Sequence, residues 1–274
     1  MNFLSNKDVL VFEIEQAKGK PRDVKKKTDY CPFCDTENLT NIIDQRSDMI
    51  WLENKFKTLQ DTNQTIVIES HEHEADISTY SVEKNREVFN YIYECWNKMI
   101  QTGKYTSVLM YKNFGPMSGG SLRHPHFQII GLNKVDGYKH VEPENFTGMN
   151  VFENKHINVN ISEKPVMGFV EFNIVINNPQ YLDDLAEFAR VTVKYILDDF
   201  YGGKFDSYNI FFYRDGKKII CKLTARYVVS PYFVGYRLSQ RDGDKQVTEI
   251  KEALLARFKE QVESKEIELE TDGN

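Results

Sequence analysis

Cysteine, histidine and tryptophan are scarce in this 274-residue chain, which has four, six and two of them. Four cysteines are too few for a disulfide framework at this length, so the pair in Cys31-Pro32-Phe33-Cys34 points to metal or redox use. Positive charge is also in deficit. With 35 Lys and Arg against 41 Asp and Glu, net −6, the chain does not suit a nucleic-acid partner held by phosphate neutralisation. No apolar run approaches the roughly 20 residues that span a bilayer. The opening MNFLSNKDVLVFEIE carries acidic residues where a secretion signal needs an apolar stretch. The expectation is a cytoplasmic protein acting on small molecules, with no membrane or nucleic-acid partner. Hydrophobic residues at 41% and aromatics at 13% supply a core for one large domain or two.

Apolar periodicity outlines the elements. IVIE (66–69) reads as a short strand. Residues 82–100 follow Ser81, an N-cap residue, and place Val88, Ile92, Cys95 and Met99 at helical spacing, with Gly103 as the stop. Residues 108–111 and 127–131 read as strands joined by a Gly/Pro/Ser-rich loop over 113–121. The plan recurs in a strand over 166–176, an amphipathic helix over 181–200, and strands over 209–213 and 219–229 that turn at Gly216. VLMYKNFG (108–115) and IFFYRDGK (210–217) occupy comparable places. The reading is two degenerate copies of a strand–helix–strand–strand unit, divided as 1–150 and 151–274. Residues 16–30 read as a basic loop, 132–165 as a linker or irregular insert, and 245–274 as a helix ending in a charged, frayed tail.

The chemistry concentrates in Ser118-Gly-Gly-Ser-Leu-Arg-His-Pro-His-Phe-Gln128. On an extended strand His124, His126 and Gln128 share one face. Pro125 lacks a ladder donor, which marks a sheet edge or strand entrance. Two imidazoles so placed can do separate work, one ligating a metal and the other attacking an electrophile, while the glycines and serines of 115–121 form a reasonable phosphate cradle. A bare His-x-His is more often an incidental strand edge; Gly119, Gly120, Ser121 and Gln128 in this order make that reading weaker.

YKNFGPMSGGSLRHPHFQ (111–128) resembles the active-site segment of galactose-1-phosphate uridylyltransferase and its relatives in the histidine-triad (HIT-like) superfamily. The matching residues are Tyr111, Asn113, Gly115, Gly119, Ser121, His124, Pro125, His126 and Gln128, without a gap. The resemblance implies an α+β fold of two HIT-like repeats, antiparallel sheets with flanking helices, the second degenerate. It implies a nucleotidyltransferase or phosphorylase acting on a nucleotide, nucleotide sugar or related conjugate. His126 would be the nucleophile that forms a nucleotidyl-histidine intermediate. Ser121 and the glycine loop would hold phosphate oxygens, and Gln128 would hydrogen-bond the transferred group. Glutamine there, where hydrolytic branches usually carry a third histidine, favours transfer over hydrolysis.

The resemblance also implies a closed, structural Zn2+ site, one per chain, made by Cys31, Cys34, His73 and His124. His73 is preferred to His71 by the match of Glu72-His73. Cys95 and Cys221 are expected in the core, and His140 and His156 need no role. Asn54 and Phe56 match a nucleoside-contacting segment, and Asn113, Gly119 and Gly120 complete the nucleotide side. Departures are Lys55 in place of an acidic ribose partner, Gln16 in place of an arginine, and Thr224 and Arg226 in place of a second metal's histidines. Tyr232–Arg237 matches a segment that serves the neighbouring subunit in the uridylyltransferases, which implies a homodimer. The competing readings are a HIT-type hydrolase and a catalytically idle, zinc-stabilised nucleotide-binding protein.

Overall fold

The structure, a computed structural model, describes residues 9–22 and 30–263. Part of the basic loop, residues 23–29, and the end of the charged tail, residues 264–274, lie outside the described residues. The elements in order are α1 (Ile14–Lys18), β1 (Ile42–Arg46), β2 (Met49–Glu53), β3 (Thr62–Ile68), α2 (Val82–Gln101), β4 (Ser107–Phe114) and β5 (His126–Leu132). They continue with β6 (Gly148–Glu153), β7 (Ile157–Ser162), β8 (Glu171–Ile176), α3 (Leu182–Asp198), β9 (Tyr208–Asp215), β10 (Lys218–Ala225), α4 (Pro231–Tyr236) and α5 (Asp244–Glu263).

The chain divides into two compact units, one of Met1–Ala75, Tyr91–Lys112 and Gly120–His140, the other of Asp76–Asn90, Asn113–Gly119 and Val141–Asn274. The strand order in the first is β1-β2-β3-β5-β4, and in the second β6-β7-β8-β10-β9, every pairing within each run antiparallel. Each copy therefore feeds a hairpin into a strand–helix–strand–strand unit whose last strand inserts between the other two. The two-repeat α+β architecture expected from the sequence is the one observed. The expected division at 150/151 falls inside β6.

Local chemistry explains the helices. The Ser81 hydroxyl accepts from the Lys84 amide (3.2 Å), capping α2, and Gly103 takes the positive φ of 64° that ends it. The predicted stripe Val88, Ile92, Cys95 and Met99 is buried throughout. Trp96 docks the helix by donating from its indole to the Val108 carbonyl (2.9 Å). In α3 the same spacing buries Leu185, Ala189, Val193 and Ile196 completely.

Four expectations need correction. Residues 16–18, expected in the loop over 16–30, belong to α1. β1 and β2 were not anticipated; β1 is exposed apart from Asp44, so it has no apolar face to read. Residues 132–165 are not an irregular insert, because they hold β6 and β7. Their sequences GMNVFE and INVNIS are rich in asparagine, which strands disfavour. Here the side chains are satisfied instead: Asn160 Nδ2 donates to the Phe146 carbonyl (3.0 Å) and Asn158 Nδ2 to Asn150 Oδ1 (3.1 Å). Finally, β10 stops at Ala225, and β8 begins at Glu171, not Val166.

The late start of β8 has a specific cause. The buried Glu171 carboxylate accepts from the amides of Val166 (2.9 Å), Met167 (2.8 Å) and Gly168 (3.1 Å), curling that segment, and from Lys222 Nζ (2.7 Å). Burial alone would raise its pKa, but Lys222 and the amides outweigh it and hold the carboxyl below its ordinary 4.5. A depressed folded pKa contributes stability that is present above the unfolded value and is lost as pH falls through the folded one. Glu171→Gln is therefore expected to cost about 3–5 kcal/mol at pH 7 by urea denaturation, since it strands Lys222. The gap to the unsubstituted protein should close as the pH is taken well below 4.5.

Candidate functional site

The site is built on β5, which lies between β3 and β4 and is buried along its whole length. Pro125 stands at the strand's entrance, where its missing N–H leaves no gap, and its carbonyl accepts from the Glu69 amide (3.2 Å). The register sets Ile68 opposite His126, and Ile66 and Tyr111 on either side of Gln128. Phe127 and Ile129 point to the opposite face and are fully buried. On the other face a cleft opens, floored by Leu52, Ile66, His126 and Gln128 and walled by Phe33 and Ser121.

His126 is only 7% exposed. Its Nδ1 lies 2.7 Å from the carbonyl of His124. A carbonyl only accepts, so Nδ1 carries the proton and Nε2 is left with its lone pair. Burial drives the imidazole pKa down to about 3, with the Lys112 and Lys20 ammonium groups adding to that depression against the upward pull of the His124 carbonyl. The ring is thus a neutral imidazole of defined tautomer, the form in which Nε2 keeps its lone pair. Phe33 meets it edge-on, with ring centroids 5.3 Å apart.

Cys31, Cys34, His73 and His124, the four predicted ligands, offer atoms that all lie within 4.8 Å of one another. The Nδ1 of His124 stands 3.7 Å from Cys31 Sγ and 3.4 Å from Cys34 Sγ, and His73 Nδ1 stands 3.4 Å from Cys34 Sγ. Sulfur and nitrogen ligands of a tetrahedral zinc are about 3.5 Å apart, given bonds of about 2.3 and 2.0 Å. The other nitrogen of His124, Nε2, lies 2.8 Å from the Ser70 carbonyl, which fixes the tautomer that presents Nδ1. Burial pushes the Cys31 thiol up to about 11, a cost that a cation between the two sulfurs would reverse. The donor set fits a metal ion.

The nucleoside-side candidates fall into two groups. Asn54 and Phe56 line the cleft. Asn54 Oδ1 accepts from the Phe56 amide (2.9 Å) in a tight turn, which leaves its Nδ2 to offer. Asn113, Gly119 and Gly120 do not line it. Asn113 Oδ1 accepts from Asn209 Nδ2 (2.6 Å), and Gly119 holds a φ of +86° that favours glycine.

Sequence reasoning missed Lys20, which lines the cleft. Burial, and Arg22 nearby, hold its ammonium below the usual lysine range, and it forms no ion pair among the described residues. A signal was present in the sequence: Lys20-Pro21 follows closely on the stretch in which Gln16 stands in place of the family's arginine. A Cβ at Gly19 would sit 3.3 Å from the Phe56 ring, so the small residue lets this segment close over Phe56. His140 and His156 have no part here; His156 stacks on Tyr181 at 3.9 Å.

Residues 12–135 match the N-terminal domain, and residues 138–258 the C-terminal domain, of a family described as a domain of unknown function (DUF4931). A crystal structure of a DUF4931 family protein from Bacillus cereus is 45% identical, covering 79% of this chain and 99% of that one with a TM-score of 0.72. A uridylyltransferase structure shares the fold at 17% identity, TM-score 0.64, over 86% of this chain and 93% of that one. An ADP-glucose phosphorylase from Arabidopsis thaliana with bound ADP-glucose does so at 14% identity, TM-score 0.65, over 83% and 92%. No curated protein matches the sequence.

The cysteine–histidine cluster should load with cobalt(II) and give the intense visible bands of a tetrahedral sulfur–nitrogen site. Cys34→Ser should abolish those bands. A protein that takes up no cobalt after metal stripping would count against a metal site.

Proposed function

The chain belongs to the DUF4931 family, and for it we propose nucleotidyl transfer from a nucleotide sugar or related conjugate through a covalent intermediate on His126. The observation that carries this reading is the hold on His126. Its Nδ1 proton is spent on the His124 carbonyl at 2.7 Å, inside a cleft shared with Gln128 and Ser121. The similarity in fold to a uridylyltransferase and an ADP-glucose phosphorylase supports the class of donor.

In the proposed reaction the Nε2 lone pair of His126 attacks the nucleotide's α-phosphorus. A P–N bond forms as the bond to the leaving phosphate oxygen breaks, and that group departs as an anion. An acceptor oxygen then attacks the same phosphorus and breaks the P–N bond, restoring neutral histidine. Charge on the phosphoryl oxygens is met by donors that line the cleft: the Gln128 amide, the Ser121 hydroxyl and Lys20. Asn54 and Phe56 hold the nucleoside. Cys31, Cys34, His73 and His124 would hold a zinc ion away from the bond-making atoms, where it would serve to fix the entrance of β5. Pro231 and Arg237 stand where the resembled segment of the uridylyltransferases has a lysine and a glutamate, and the cationic Arg237 in place of that carboxylate favours an anionic acceptor such as inorganic phosphate.

Incubation with UDP-glucose or ADP-glucose should add a nucleoside monophosphate to His126, read by peptide mass spectrometry, and His126→Ala should lose it. Absence of adduct and of exchange with every donor tried, or full activity in His126→Ala, would defeat the proposal. Steady release of monophosphate into water without an acceptor would instead favour the hydrolase. The neutral ring is the reactive form, so activity is lost as pH falls through the folded pKa near 3. The log kcat/KM profile should therefore show no histidine break between pH 5 and 8.

We also propose a homodimer. Val228, Tyr232, Val234, Tyr236 and Leu238 are each more than half exposed along one short segment, a density of apolar surface that monomers rarely show. Light scattering should give twice the 32.1 kDa chain mass, falling to one chain mass in a Val234→Glu/Tyr236→Glu double variant. A monomeric wild type would refute this.

A further inference from the structure

Tyr111 takes no part in the reaction as written above. It stands on β4 directly opposite Gln128 of β5, and its hydroxyl donates to Gln128 Oε1 at 3.1 Å. Burial pushes the phenol up to about 12, so it remains a protonated donor across any working pH.

A glutamine side chain ends in one acceptor and one double donor of nearly the same shape. An amide free to turn presents either end. In a site for phosphoryl oxygens the two ends have opposite consequences, since nitrogen donates to the developing charge and oxygen repels it. Gln128 is nearly buried (9% exposed) and lines the cleft beside His126, so its orientation is decided by the protein and not by bulk water. We propose that Tyr111 is a positioning residue for the transfer, holding Gln128 by its carbonyl oxygen so that the amide nitrogen is the end offered to the phosphoryl group. This rests on the proposed function, in which Gln128 is the donor. Tyr111 itself does not line the cleft and acts only through its cross-strand partner.

The test is the single-turnover rate of His126 nucleotidylation with UDP-glucose and with ADP-glucose as probes. Tyr111→Phe keeps the ring and removes the hydroxyl. It should slow adduct formation by about tenfold, a fraction of the 10²–10³ lost when such a donor is removed outright, with nucleotide affinity unchanged. Tyr111→Phe combined with Gln128→Ala should be no slower than Gln128→Ala alone, because a residue acting through another adds nothing once that partner is gone. Gln128→Glu keeps the acceptor for Tyr111 and removes the donor, so it should be slow even with the tyrosine contact intact. An unchanged rate in Tyr111→Phe, independent effects in the double variant, or a wild-type rate in Gln128→Glu would each overturn the proposal. Should the wild type form no adduct with any nucleotide, the proposed function fails, and Tyr111 is judged by the Gln128 side-chain amide resonances in ¹⁵N spectra. Displacement of those signals in Tyr111→Phe supports the hold on Gln128; unmoved signals refute it.

Discussion

His124 is the residue on which the rest of the site depends. Its side chain is fixed at both ends, by the Ser70 carbonyl at Nε2 and the cysteine thiols at Nδ1. Its main-chain carbonyl, in turn, accepts a hydrogen bond from His126 Nδ1. One residue thereby couples the loop of Cys31 and Cys34 to the tautomer of a buried imidazole. The residue between them, Pro125, has φ fixed by its ring, so the spacing of the two histidines is rigid. A metal in the cluster need not touch a substrate to matter, because it would anchor the one carbonyl that decides which nitrogen of His126 is free.

The two repeats put the same topology to different use. In the first, β5 carries buried polar residues, His126 and Gln128, that face a cleft. In the second, the buried polar residues are turned on one another. Lys222 on β10 binds Glu171 at 2.7 Å and the Asn145 carbonyl at 2.7 Å, and Asn173 binds Asn160 at 2.8 Å. Apart from Asn173 Oδ1, which is buried without a partner, this network is satisfied internally and has structural work in closing the loop before β8. Degeneracy here means that the second copy's polar groups have found partners within the fold.

What could be read from the sequence follows from what leaves a periodic or spaced trace. The helices did, because their buried stripes recur every three or four residues, and the copies were visible as β4 and β9. The cysteine–histidine cluster was legible through the resemblance to a known family, which named its four residues, and the same resemblance supplied the proposed nucleophile. β6 and β7 were not, since asparagines satisfied by tertiary hydrogen bonds look like loop residues until those partners are known. Lys20 was hidden for another reason. A lysine in a basic, glycine-broken stretch looks like a solvated charge, and only the approach of that stretch to Phe56 turns it towards His126.

That placement resolves a conflict built into the proposed chemistry. A phosphoryl substrate calls for positive charge, yet a protonated imidazole could not attack it. If His126 itself supplied the cation, binding and reactivity would oppose each other. The cleft separates the duties: Lys20 supplies charge at its wall and Lys112 supplies charge from behind β5. Burial together with those same ammonium groups keeps the imidazole neutral. Lys112 is itself held by Glu69, so its field is partly cancelled, whereas Lys20 has burial and a neighbouring arginine acting on it. Of the two, Lys20 has more to gain from an incoming anion. The compensated charge therefore lies beneath the strand on Lys112, and the charge available to an anion lies at the wall of the cleft on Lys20.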